Sequence, residues 1–147
     1  MGDEPGPAVV EQRIVAPQQP LYARRVSEDG RLWELSGIRV ELREGAEPLF
    51  EQQEARWRPQ WALSPARMEE LRAAIRDSGV MEAAAENAAE GTVSDGRDVE
   101  WTAALDGRVH TVALRGAPYV TVPEVERLER AVNAVLQAAA DDARAAS

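Results

Sequence analysis

The chain has no cysteine and no lysine; all 17 of its basic residues are arginine, and 147 residues include one histidine and one phenylalanine. Without cysteine there is no disulfide framework, thiolate zinc site, iron–sulfur cluster or cysteine nucleophile. Without lysine there is no Schiff-base chemistry and no Walker-type phosphate loop. A single histidine does not furnish the two- or three-histidine sites of zinc and iron enzymes. Long apolar runs are missing too, since no stretch approaches the ~20 residues of a membrane helix. The opening Met1-Gly2-Asp3-Glu4-Pro5 is acidic and proline-broken, where a secretory leader is basic and then apolar. These absences predict a soluble, cytoplasmic protein with no cofactor, no metal and no membrane contact.

What is abundant is acid. The formal net charge is −9. Between Asp77 and Asp106 eight carboxylates stand against one arginine, Arg97, a local net of −7. Such a run repels phosphates and argues against nucleic acid as a partner. A solvated surface accounts for it.

Residues 1–20 hold Pro5, Pro7, Pro17 and Pro20 and read as a flexible proline-rich arm, docking at most an edge strand through Val9 to Val15. From Leu21 the period becomes two. Asp29-Gly30 signals a hairpin, and Ile38 to Arg43 alternates apolar with charged side chains. Gly45 to Pro48 breaks the run, and Leu49 to Trp57 is the next strand. Ser64-Pro65 caps a helix with a Met68, Leu71, Ala74, Ile75 stripe, stopped at Ser78-Gly79. Met81 to Glu90, rich in alanine, reads as a further helical turn or two, and Gly91 to Asp98 as loop. Val99 to Leu105, Asp106-Gly107 and Arg108 to Arg115 make the clearest hairpin. A capping box at Thr121 and Glu124 opens a last helix striped by Val125, Leu128, Val132, Val135 and Leu136. The predicted fold is α+β: an antiparallel β-meander with two amphipathic helices packed on one face. It forms one domain over 21–136, and 137–147 is a fraying tail.

Chemistry-bearing patterns are few. His110 falls mid-strand and reads as a hydrogen-bonded sheet residue. Asp95, Asp98 and Glu100 miss the calcium-loop spacing, because Arg97 and Val99 stand at its third and fifth positions. The doublets Glu69-Glu70 and Asp141-Asp142 diverge by about 100° on a helix and do not converge on a substrate. The tryptophans stand out. Trp57 and Trp61 lie four apart, on one side of an extended segment, with Arg56 and Arg58 beside them and Pro59 between. Aromatics and arginine are the residues that dominate interface energetics. The candidate protein-binding surface is therefore Phe50, Arg56, Trp57, Arg58 and Trp61, with Trp33 as neighbour, and at least one of Trp57 and Trp61 is expected to be more than a third exposed.

The second half, with Leu63-Ser64-Pro65 opening Met68-Glu69-Glu70-Leu71, then a strand, Asp106-Gly107, Arg108 to Val112 and a proline-led helix, resembles small bacterial emfourin-type proteins. The likeness covers about residues 60–136. It implies an α+β fold and, since that family includes metallopeptidase inhibitors, an inhibitory role; the glycine-rich first hairpin of that family is absent here, so no inhibitory residue carries over. The expected function is non-enzymatic: a small protein-binding module, inhibitory or an accessory subunit, whose partner is another protein or a second copy of itself. The competing readings are a small hydrolase using carboxylates or His110, and a sugar-binding domain with tryptophan platforms.

Overall fold

A computed structural model describes residues 4–16, 21–36, 39–41, 50–52, 56–89, 96–117 and 119–146. The strands are β1 (Ala8–Val15), β2 (Tyr22–Ser27), β3 (Arg31–Ser36), β4 (Arg39–Glu41), β5 (Phe50–Gln52), β6 (Arg56–Ala62), β7 (Glu86–Ala88), β8 (Arg97–Leu105) and β9 (Arg108–Ala117). The helices are α1 (Pro65–Ser78) and α2 (Pro123–Ala146), with a 3-10 turn at Val80–Glu82. The fold is α+β.

Seven strands form one sheet in the order β6-β3-β2-β1-β8-β9-β7, and β4 pairs with β5 in a separate ladder. Every pairing is antiparallel except β7 with β9. The expectation for the N-terminal segment needs correcting, because Ala8–Val15 is the central strand and not an edge. It pairs with β2 on one side and β8 on the other. The prolines that argued for an arm fall outside the strand, at Pro5, Pro7 and Pro17. All ladder donors between them are intact.

Both Asp-Gly signals become turns. Asp106 and Gly107 have φ of 52° and 78° between the facing pair Leu105 and Arg108. Positive φ at both central residues is the type I′ geometry, whose twist matches the flanking strands. At the other hairpin, Gly30 adopts φ 90°, its carbonyl accepts from Leu63 N–H at 2.7 Å, and Asp29 accepts from the Arg31 N–H at 3.1 Å. The Ser27 hydroxyl also donates to Asp29 and holds that carboxyl below the usual carboxylate range.

The predicted strand from Ile38 to Arg43 appears as β4, with residues 38, 42 and 43 outside the described set, as is the break at 45–48. Of Leu49 to Trp57, expected as one strand, Phe50–Gln52 form β5 and Arg56 and Trp57 open β6, with residues 49 and 53–55 outside the described set. Ser36 faces Arg56 and Arg39 faces Gln52. The β4–β5 pairs are offset by one residue from the register of the β3–β6 pairs.

Helix α1 is capped as expected: Ser64 Oγ accepts from Arg67 N–H, Pro65 opens the first turn, and Gly79 stops it in the left-handed region at φ 80°. Its buried residues are Met68, Leu71, Ile75 and Ser78. Helix α2 buries Val125, Leu128, Val132, Val135 and Leu136. It then continues as helix to Ala146, so the tail is not frayed across 137–146. Ala139 is 1% exposed, and Arg67 of α1 grips Asp142 with two hydrogen bonds of 2.8 and 3.2 Å. These contacts supply what the sequence stripe lacks after Gln137. They also commit Asp142 to a structural pair.

Alanine content misled for Met81 to Glu90. After the 3-10 turn, β7 runs parallel to β9, with Ala113 N–H donating to the Ala85 carbonyl at 2.8 Å and Ala89 N–H to Arg115 at 3.0 Å. Three residues of pairing outweigh helix propensity of a few tenths of a kcal/mol per residue. Among the described part of Gly91 to Asp98, Arg97 and Asp98 already belong to β8. The core joins Val10, Val26, Leu32, Val99, Trp101, Val112 and Leu114 of the sheet to Met68, Leu71, Ile75, Leu128 and Val132 of the helices.

A β-carbon at Gly30 would stand 3.0 Å from the Leu63 carbonyl oxygen, whereas at Gly107 it would meet nothing within 4 Å. Both carry positive φ, so Gly→Ala strains either turn by about 1 kcal/mol, and Gly30→Ala adds a backbone collision for about 2 kcal/mol or more. Thermal denaturation is expected to show the larger drop in Tm for Gly30→Ala.

Candidate functional site

The six residues of the predicted surface are divided by the strand geometry. Phe50 lies on β5 facing Glu41, in the separate ladder. Arg56, Trp57, Arg58 and Trp61 lie on β6, the terminal strand of the seven. Trp33 faces Pro59 from β3 and is buried, 2% exposed, its Nε1 donating to Ser27 Oγ at 3.3 Å.

Trp57 and Trp61 do not share a side. Between the facing pairs Trp33–Pro59 and Arg31–Ala62, β3 advances two residues while β6 advances three. The extra residue is a bulge, which reverses the alternation beyond it. Trp57 consequently faces Leu35, with the Arg25 guanidinium 4.8 Å from its ring centre; Arg25 is held in turn by Glu11 at 2.6 Å. Trp61 turns to the opposite side, packs against the core and joins Leu32 and Leu136. Both rings are half-buried. The strongly exposed large apolar residues among those described are Val15, Val109 and Tyr119.

Arg56 and Arg58 are exposed, facing Ser36 and Glu34, and neither forms an ion pair among the described residues. They are the only charges on β6. A chain with net charge −9 therefore carries a purely basic edge.

On the Trp61 side lies a groove of about 410 Å³ between β2, β3, β6 and the second half of α2. Leu32, Leu136 and Ala140 contribute apolar lining, while Tyr22, Arg24, Glu34, Asn133, Gln137 and Arg144 contribute polar groups. A hydrogen-bonded chain organises it. Gln12, in the middle of β1 and 6% exposed, donates to Glu129 at 3.1 Å and accepts from Arg24 Nε at 2.8 Å. Arg24 Nη2 donates to Asn133 Oδ1 at 2.7 Å. Glu129 and Asn133 are four apart on α2 and so present one face.

Burial lowers the basicity of Arg24 from the ordinary arginine value; nearby Tyr22, Glu129 and Glu34 work against that. The guanidinium lies 5.7 Å from the Trp101 ring centre. Tyr22 donates to Glu34 at 3.2 Å, and burial first, then the Glu34 charge, push its hydroxyl up. Trp61 Nε1 and Trp101 Nε1 are buried without a partner among the described residues.

Sequence reasoning missed this groove. Its signals were Gln12 inside an apolar strand and the alternation of Tyr22 with Arg24; its assembly depends on α2 arriving from more than 100 residues away. His110, by contrast, stands as expected, its Nε2 2.7 Å from the Ala83 carbonyl oxygen. Of the acidic run, Glu82 pairs with Arg108, while Glu86, Asp98 and Glu100 surround Arg115 at 3.5–3.8 Å. Among the described residues no group of three or more His, Asp or Glu side chains is placed to hold a metal ion, and no helix is long and apolar enough to cross a membrane. No family model matches the chain, and no curated protein matches it either.

Two measurements follow from these environments. Trp33→Ala empties a buried site and is expected to cost about 3–5 kcal/mol in chemical denaturation. Trp57→Ala, half-buried under one arginine, costs no more than about 2 kcal/mol. For Tyr22 the folded pKa is raised, so the stabilising difference is complete below the unfolded value of about 10 and is lost as pH rises through the folded value. Stability against pH from 9 upward should fall less steeply in Tyr22→Phe than in the native chain.

Proposed function

We propose that this is a non-enzymatic protein-binding module that meets its partner along β6. The observation that carries this reading is the charge of that edge: Arg56 and Arg58, exposed and without ion-pair partners among the described residues, on the terminal strand of an otherwise acidic chain. Arginine and tryptophan at the centre of a contact each contribute about 2 kcal/mol or more when desolvated. Opposite charge on a partner speeds encounter and selects against acidic competitors. Pro59 removes one backbone donor from the edge, so the contact relies on side chains more than on a continuous ladder.

In this reading one face of the sheet is covered by both helices, which leaves the β6 edge for the partner. Inhibition of a metallopeptidase, implied by the emfourin-type resemblance over residues 60–136, is one version of the same function. A subunit role in a larger assembly is another. The commitment of His110 Nε2 to a backbone carbonyl favours these over hydrolysis.

The test is a double charge reversal, Arg56→Glu with Arg58→Glu. Exposed unpaired sites change stability by no more than about 0.5 kcal/mol each, so Tm is expected to hold within a few degrees. Affinity capture from the native host should lose its specific partner, or sedimentation should lose a dimer seen with the native chain. Unchanged capture and unchanged mass would refute the reading.

A further inference from the structure

We infer that the groove between β2, β3, β6 and α2 is a binding site for a carboxylate carried on an apolar body, with Arg24 as the group that receives the carboxylate. It shares Trp61 with the predicted surface and otherwise rests on residues that surface does not use.

Arg24 carries a charge that no direct ion pair among the described residues answers. Its two hydrogen bonds go to neutral amide oxygens, Gln12 Oε1 and Asn133 Oδ1, and no carboxylate lies within ion-pair distance among the described residues. Nη1 has no hydrogen-bond partner among them. A partly buried cation is normally matched by an anion, because desolvation without one is costly. The Trp101 ring and the charges of Glu129 and Glu34, beyond ion-pair distance, offset only part of that cost. Yet the guanidinium is held rigidly, fixed from β1 through Gln12 and from α2 through Asn133. A fixed cation with a free donor, at the side of a groove, is preorganised for an oxyanion.

The remaining lining gives the ligand its other features. Leu32, Leu136, Ala140 and the Trp61 ring offer apolar surface, and about 410 Å³ lies within the range of small-ligand sites. Glu34 lines the same groove and already accepts from Tyr22. Its charge disfavours a second negative group. The ligand class is thus a monocarboxylate with an aromatic or branched aliphatic body, either a free small molecule or the C-terminal end of a peptide.

The experiment uses the full chain and four probes: N-acetylphenylalanine, its amide, acetyl-Ala-Ala-Phe with a free terminus, and that peptide amidated. Calorimetric titration gives affinity, and the Trp61 indole N–H resonance, assigned with Trp61→Phe, gives location. Each acid is expected to bind at least tenfold more tightly than its amide and to shift the Trp61 signal. Arg24→Gln should bring the acid down to the level of the amide. Since that substitution also removes the tie to α2, a second variant, Ala140→Phe, fills the groove while leaving Arg24 in place, and should abolish binding of all four. A tripeptide acid at least tenfold tighter than the single residue assigns the site to chain termini; equal affinities assign it to free small molecules. Equal binding of acid and amide, or acid binding that survives Ala140→Phe, overturns the proposal. Either failure leaves the charge-reversal result on β6 standing by itself.

Discussion

Everything in this molecule is organised around β1 having neighbours on both sides. Without Ala8–Val15 the sheet is two pieces, β6-β3-β2 and β8-β9-β7, that share no pairing. The facing pairs Val10–Val26 and Val10–Ala103 join a near segment to one more than 90 residues distant. Closing so long a loop costs entropy that grows only slowly with length, and burial of Val9 and Val10 together with two full ladders offsets it. The same strand carries Gln12, whose amide reaches Glu129 with its nitrogen and Arg24 with its oxygen. That side chain thereby ties α2 to the sheet directly at Glu129 and, through Arg24, at Asn133.

That arrangement explains why the groove exists. Helix α2 is 24 residues long, about 36 Å at 1.5 Å per residue, and its second half runs past the apolar stripe toward β6. Ala139 and Ala140 keep the side chains there short. The bulge in β6 turns Trp61 toward this helix and leaves Trp57 on the other side, stacked with Arg25. One inserted residue separates two tryptophans that a regular strand would have placed together.

Charge is distributed to match. Much of the acid is tied down locally: Glu11 by Arg25, Asp142 and Glu70 by Arg67, and three carboxylates around Arg115. Exposed pairs of this kind contribute little each. Among the described arginines that form no ion pair, Arg56 and Arg58 are exposed on a terminal strand and Arg24 lines a groove, where an anionic partner or ligand can reach them.

The sequence alone determined the pieces whose causes are local. Ser64-Pro65 and Gly79 bounded α1, the 3,4 spacing from Val125 to Leu136 gave the buried stripe of α2, and Asp106-Gly107 gave the tight hairpin, because caps, stripes and turns depend on residues within a few positions of one another. It also marked β6 as rich in tryptophan and arginine. Only the tertiary structure decided that the proline-flanked Val9 region is central, that Glu86–Ala88 is strand, that α2 continues through its alanines, and that Trp57 and Trp61 part company. Each of these depends on a partner strand or helix far away in the chain. Arg24 was one arginine among 17 until Gln12, Asn133 and Trp101 closed around it, since burial and pairing are properties of the assembled fold and no stretch of sequence contains them.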